Sequence, residues 1–304
     1  MRPLYRSLCG RVRIRTPHHV ATRTFATALE HFGQPLHETH PHLLKAGELT
    51  PNITSLEYFH RRCKLASSLP PNSIAILAAS DIKYRSGAVF YKFHQDPNFL
   101  YLTGFNEPEA IAIIEKTGAA RAGDGEHNFH LYVRPKNPRE EVWEGARSGI
   151  EAASEVFNAD EAGELEQVRR VLPDLVAGRD VYTDIPVEAQ PRSDFTRMVF
   201  GAPSNRSGIV GELLQGVKVK PLKGFMNNLR VIKSDAEVEN MRKAGKASGR
   251  AFTEAMRQQW KTERDLETFL NYKFKANGCE EAAYVPVVAG GEVRSLVEMR
   301  HTGD

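Results

Sequence analysis

Residues 90–110, FYKFHQDPNFLYLTGFNEPEA, set the reading of the chain. Within this stretch residues 99–102 form a short apolar run that predicts a strand, and Ala110 opens a second run that reaches Ile114. Working outward, residues 74–78 and 130–133 read as further strands, and the Gly-rich piece 117–125 as the turn between the last two. Upstream, Thr54-Ser55-Leu56-Glu57 is a capping box that opens a helix. Leu56, Phe59, Cys63 and Ala66 follow at helical spacing, which predicts Cys63 as a small core residue, and Pro70-Pro71 end the helix. Downstream, residues 151–157, 161–172 and 207–214 read as helices, with strands at 181–183 and 217–219. The alternation defines an α/β domain over residues 54–220.

The texture changes at residue 221. Ser234-Asp235-Ala236-Glu237 is a second capping box, followed by Val238, Met241, Gly245, Ser248, Phe252 and Met256 along one helical face. Thr262-Glu263-Arg264-Asp265 caps another helix with Leu266, Phe269, Leu270 and Phe274 on its stripe, and Asn277-Gly278 is its stop. Residues 283–289, AYVPVVA, read as a β-rich segment in which Pro286 favours an edge strand or a bulge.

Charge is unevenly placed. The first 29 residues hold Arg2, Arg6, Arg11, Arg13, Arg15 and Arg23 and no acid. Removing those six from the 41 basic residues leaves the remainder slightly acidic against 38 acids, so the net +3 belongs to the leader and gives no argument for nucleic-acid binding. Leu4, Leu8 and Val12 recur every fourth residue, and the arginines fall mostly off that stripe. Residues 1–30 therefore read as a mitochondrial transit peptide. Arg23-Thr24-Phe25-Ala26 has the form of a matrix processing site, with a cut after Thr24. Residues 31–53, rich in Gly, Pro and His, predict an extended arm on the domain surface; His37, His40 and His42 lie close together without supporting cysteines or carboxylates. No run approaches the roughly 18 apolar residues of a membrane span. The three cysteines lie far apart, which excludes a disulfide scaffold and a thiolate zinc site.

Several ordered signatures resemble one family. Residues 90–110 are similar to the N-terminal domain of the Xaa-Pro aminopeptidases, also called aminopeptidase P. VRPKNPREEVWEGARSG at 133–149 resembles that domain's second signature, with Arg147 as a structural hydrogen-bond hub. Residues 229–252 and 262–291 resemble the opening of its catalytic domain, and the arm at 38–51 is similar to the mitochondrial intermediate-cleaving branch. The resemblance implies an α/β fold in two parts. An aminopeptidase P N-terminal domain, a mixed sheet with flanking helices, is followed by an incomplete pita-bread metallopeptidase domain over 221–291 and a divergent tail over 292–304. It further implies two divalent ions, usually manganese, on two Asp, one His and two Glu, with peptide or protein N-termini as substrates and a homo-oligomer formed through the N-terminal domain.

The ligand count departs from that pattern. From Leu229 onward the only histidine is His301 and the aspartates are Asp235, Asp265 and Asp304. Asp235 and Asp265 stand at helix starts, where a carboxylate serves the helix terminus. No metal or catalytic residue is carried over from the family to this chain, and the chain is expected to be C-terminally truncated and inactive as it stands, with no metal bound. The alternative is a non-catalytic N-terminal-domain module that pairs with full-length subunits.

Overall fold

The computed structural model describes residues 32–117, 127–187 and 206–290. The transit peptide with Arg23, Thr24, Phe25 and Ala26, the tail with His301 and Asp304, and most of the predicted 117–125 turn lie outside the described residues. The chain divides into two compact units, to Ile232 and from Lys233.

In the first unit, strands β1 (Glu48–Thr50) and β2 (Ile53–Thr54) form a small antiparallel hairpin leading into helix α1 (Ser55–Ser68). Thr54 caps α1 by accepting from the Glu57 amide. Strand β3 (Ser73–Ala78) follows, then the hairpin β4 (Tyr84–Ser86) and β5 (Val89–Phe90), helix α2 (Pro97–Thr103), and strands β6 (Ile111–Lys116) and β7 (His127–Val133). Next come α3 (Pro138–Glu144), α4 (Gly149–Glu155), β8 (Glu161–Glu164), a 3-10 turn at Leu165–Gln167, α5 (Val168–Val176), β9 (Asp180–Tyr182), α6 (Arg206–Leu213), β10 (Val219–Lys220) and α7 (Lys223–Val231).

Six strands form one mixed sheet in the order β10-β9-β3-β6-β7-β8. The β3–β6 and β6–β7 pairs are antiparallel; β10–β9, β3–β9 and β7–β8 are parallel. Strand side chains alternate across a sheet, and in β3 both sides are apolar and buried. Ala75 and Leu77 join α1, α2, α4 and α7 through Leu65, Phe99, Ala153 and Met226. Ile74 and Ile76 join α5 and α6 through Val168, Leu172 and Val210. Helices therefore cover both faces.

Several local expectations change. Residues 99–102 are helical, because Asp96 accepts from the Asn98 and Phe99 amides, Pro97 occupies the first turn, and Gly104 ends the helix at φ 70°. The predicted helix at 161–172 is divided: β8 pairs with β7, and only α5 is helical. Gly163 lets that strand lie close, since a Cβ there would meet the Tyr132 ring at 3.1 Å. The buried face of α1 is Tyr58, Arg61, Arg62, Leu65 and Ala66, so Leu56 is exposed and Cys63 is only half-buried. The arm is not extended: residues 32–53 turn back on themselves and bury Leu36, Leu44 and Leu49. The first unit also runs past 220, because Leu222 and Met226 enter its core and Tyr101 donates to the Leu229 carbonyl at 3.3 Å.

The second unit holds helices α8 (Asp235–Ala255) and α9 (Glu263–Ala276), each opened by a full capping box, at Ser234–Glu237 and Thr262–Asp265. They pack through Ala251, Ala255 and Leu270, with Trp260 and Phe269 alongside. The buried stripe of α8 is Ala247, Ala251 and Ala255. Met241, Phe252 and Met256 of the predicted stripe are exposed. Residues 283–289 form no strand; Tyr284, Val285 and Val287 are exposed without a neighbouring strand among the described residues.

Candidate functional site

A connected polar arrangement in the first unit is built by the signature at 133–149. After β7 ends at Val133, Asn137 caps α3 by accepting from the Arg139 amide at 3.2 Å, with Pro138 in the first turn. Helix α3 buries none of its residues, and Trp143 is 86% exposed. Gly145, at φ 88°, turns the chain back to Arg147. Arg147 is 5% exposed. Its Nη2 donates to Glu140 and, at 2.9 Å, to Glu144 Oε2; its Nη1 donates to the Pro135 carbonyl at 3.3 Å. Arg134 Nη1 donates to the same Glu144 oxygen at 2.9 Å, and its Nε lies 3.9 Å from Glu109.

Burial works against the Glu144 carboxylate, but the hydrogen bonds and charges of Arg147 and Arg134 outweigh it and hold its carboxyl below the ordinary range. Burial likewise pulls Arg147 down, and the Glu144 and Glu140 pairs push it above its usual value. These groups line a cleft of about 320 Å³ together with Ile82, Tyr84, Glu164, Leu165 and Glu166.

Beside the cleft, Glu107 is buried and accepts from the Ser148 amide at 3.1 and 3.2 Å and from its hydroxyl. Burial pushes the Glu107 carboxyl up, against the opposing pull of Ser148, Arg134 and Arg147. The arm closes over this carboxylate at Gly33, where a Cβ would sit 2.2 Å from Glu107 Oε1 and 2.9 Å from the Ala146 carbonyl oxygen. Gln34 fastens the arm further, donating to the Gly104 carbonyl at 3.2 Å and accepting from the Asn106 amide at 2.8 Å.

The structure also makes a pair invisible in one-dimensional spacing. Cys63 Sγ lies 3.8 Å from His127 Nδ1, across 64 residues of sequence. Burial, reinforced by the nearby Arg62, lowers the His127 pKa to about 3, so the imidazole is neutral at pH 7. Such a weak base does not activate a thiol at neutral pH.

The histidines of the arm do not converge. His37 Nδ1 lies 2.9 Å from the Leu44 carbonyl, His40 Nδ1 2.8 Å from Thr39 Oγ1, and the His40 and His42 rings 5.8 Å apart. In the second unit Asp265 accepts from the Thr262 amide at 3.2 Å as part of a cap, and Asp235 lies in the first turn of α8. No group of three or more His, Cys, Asp or Glu side chains that could hold a metal ion forms among the described residues. The donors among the described residues do not fit a pair of divalent ions.

The mixed sheet with helices on both faces, followed by paired capped helices, defines the class: residues 58–183 match the family described as Aminopeptidase P, N-terminal domain, and residues 239–304 match Metallopeptidase family M24. The intermediate cleaving peptidase 55 of Saccharomyces cerevisiae is 41% identical over 85% of this chain and 51% of its own length. Xaa-Pro aminopeptidase 3 of Homo sapiens is 34% identical over 86% and 52%. The crystal structure of Icp55 from Saccharomyces cerevisiae superposes with a TM-score of 0.63 at 36% identity, covering 80% of this chain and 52% of that one. Over most of its length the chain is thus similar to the Xaa-Pro aminopeptidases and the intermediate cleaving peptidases, with an aminopeptidase P N-terminal domain followed by part of a family M24 domain. It spans about half the length of the curated relatives it matches.

Proposed function

We infer that this polypeptide derives from a mitochondrial metallo-aminopeptidase that removes an N-terminal residue from precursor proteins already cut once, and that its 304 residues by themselves do not catalyse the reaction. The alignment with the intermediate cleaving peptidase over 85% of the chain carries the first half of that reading. The ligand count from Leu229 onward supports the second, because a dinuclear manganese site needs a carboxylate and histidine set that Asp235 and Asp265, at their helix starts, do not supply. The leader supports mitochondrial delivery, with a cut after Thr24 that exposes Phe25 and a trim by a full-length relative that leaves Ala26 first.

A second reading, a non-catalytic module that pairs with full-length subunits, is favoured by the hairpin β4–β5, where Tyr84, Val89, Phe90 and Tyr91 are all exposed. Purified protein with added manganese separates the two halves of the first reading. No turnover of Xaa-Pro or Phe-Ala peptides is expected, and metal-dependent turnover lost on His301→Ala would overturn the inactive assignment. N-terminal sequencing from isolated mitochondria tests delivery: Ala26 is the expected terminus, and a protein that still begins at Met1 in the cytosol refutes it.

A further inference from the structure

The arm crosses the first unit over one buried acid. Among the described residues the Glu107 carboxylate accepts from Ser148 alone, from its amide at 3.1 and 3.2 Å and from its hydroxyl. Arg134 and Arg147 act on it at a distance, but their ion pairs go to Glu109, Glu140 and Glu144. Gly33 covers it so closely that a Cβ there would lie 2.5 Å from the Glu107 carboxyl carbon. A buried carboxylate held by neutral donors favours its protonated form. Burial accordingly raises this carboxyl against the pull of Ser148 and the two arginines.

The acid is pinned from below and the arm is the part free to give. Gln95 Nε2 donates to the Glu107 carbonyl at 2.8 Å, and Ser148 is buried. The arm's grip here is neutral: Phe32 stacks on Phe157 at 6.1 Å, and Gln34 bonds to the Gly104 and Asn106 backbone. Phe32, Gly33 and Gln34 carry no titratable group. The arm's own histidines contact the arm, His37 at Leu44 and His40 at Thr39 and His42. Glu107 is therefore the titratable group under the closed arm, with Arg134 and Arg147 the charges facing it among the described residues.

We propose that Glu107 is a proton-operated latch: with its carboxyl protonated, residues 33–34 lie closed over the 146–148 turn, and ionisation loosens them. The protonated acid keeps the Ser148 amide as a donor and gives its own hydrogen to the Ser148 hydroxyl oxygen, so no charge lies under Gly33. Loss of that proton to solvent leaves an anion whose hydration the arm blocks, and lifting the arm admits water. The carboxyl is raised while the arm is closed and returns to about 4.3 when it lifts. Closure is thus fully present below about pH 4.3 and is lost as pH rises through the raised value.

Hydrogen exchange of the full chain, corrected for the chemical pH dependence of exchange, reads the latch between about pH 5 and about pH 8. Opening of the arm around Gly33 should rise with pH by up to about tenfold per unit, the limit for one proton, and then level off, while β6 stays protected. Glu107→Gln copies the protonated shape and should keep the arm closed at every pH. Gly33→Ala props the arm off the carboxyl and should leave it open with the same flat profile. A wild-type arm whose opening is constant or falls with rising pH, or a Glu107→Gln arm with the wild-type slope, would overturn the proposal. Should Glu107→Gln also lose protection in β6, the carboxyl carbon resonance of Glu107 in the wild type decides. A midpoint that coincides with the arm's opening supports the latch, and one at the ordinary glutamate value overturns it.

Discussion

Acidification should weaken the first unit through a single histidine. His127 opens β7 at 4% exposure, with Phe59 tilted against its ring at 5.4 Å and Cys63 Sγ at 3.8 Å from Nδ1. Its pKa is about 3 in the folded chain, because burial and the Arg62 charge disfavour the imidazolium. In the unfolded chain the value returns to about 6.5. The folded state therefore binds fewer protons than the unfolded state between those values. Stability is fully present above about pH 6.5 and is lost as pH falls toward 3. Between pH 7 and pH 5 the His127 contribution falls by about 2 kcal/mol, against which the raised carboxyl of the buried Glu107 acts in the opposite sense. With a urea slope of about 2 kcal/mol per molar, the midpoint should fall by about 1 M. His127→Asn removes the titration, so its midpoint should be lower at pH 7 but nearly flat across the same window. Equal pH slopes in the two proteins, or a wild type that gains stability on acidification, would refute the reasoning.

Other consequences follow from the same contacts. Gly33→Ala should lower stability by about 2 kcal/mol and free the arm to proteases, because its Cβ would meet Glu107 Oε1 and the Ala146 carbonyl oxygen; an unchanged melting temperature would argue against the close packing. Arg147→Lys should cost about 1–2 kcal/mol by thermal melting, since a lysine cannot bridge Glu140, Glu144 and the Pro135 carbonyl together and the two carboxylates are partly solvated. Limited proteolysis should remove the second unit first and leave a stable product ending near Ile232, because that unit's core rests on Ala251, Ala255 and Leu270; equal protection of both units would count against it.

Legibility from sequence depended on how local the deciding force was. The three capping motifs, at Thr54, Ser234 and Thr262, act within four residues, and each opens a helix. The apolar strand β3 and the family signatures were equally readable. Residues 99–102 misled because composition alone reports apolar character, whereas the Asp96 cap and the left-handed Gly104 decide the backbone. On α8 large apolar side chains marked the wrong face; the alanines pack because they let α9 approach. Arg147 could be singled out from its motif, but its link to Glu140 and Glu144 needs the Gly145 turn. Glu107, Gly33 and the Cys63–His127 pair left no periodic trace, because each is made by segments far apart in the chain. The aminopeptidase P domain was thus legible as a fold, and its polar junctions only in three dimensions.

Helix α3 is held differently from every strand of the sheet. It is anchored by its Asn137 cap and by the Arg147 and Arg134 pairs, with none of its residues in the core. Its order is therefore governed by ionic conditions, which screen charge pairs but leave apolar burial intact. Added salt should thus loosen α3 before the six-stranded sheet, a difference that hydrogen exchange at the α3 amides would read.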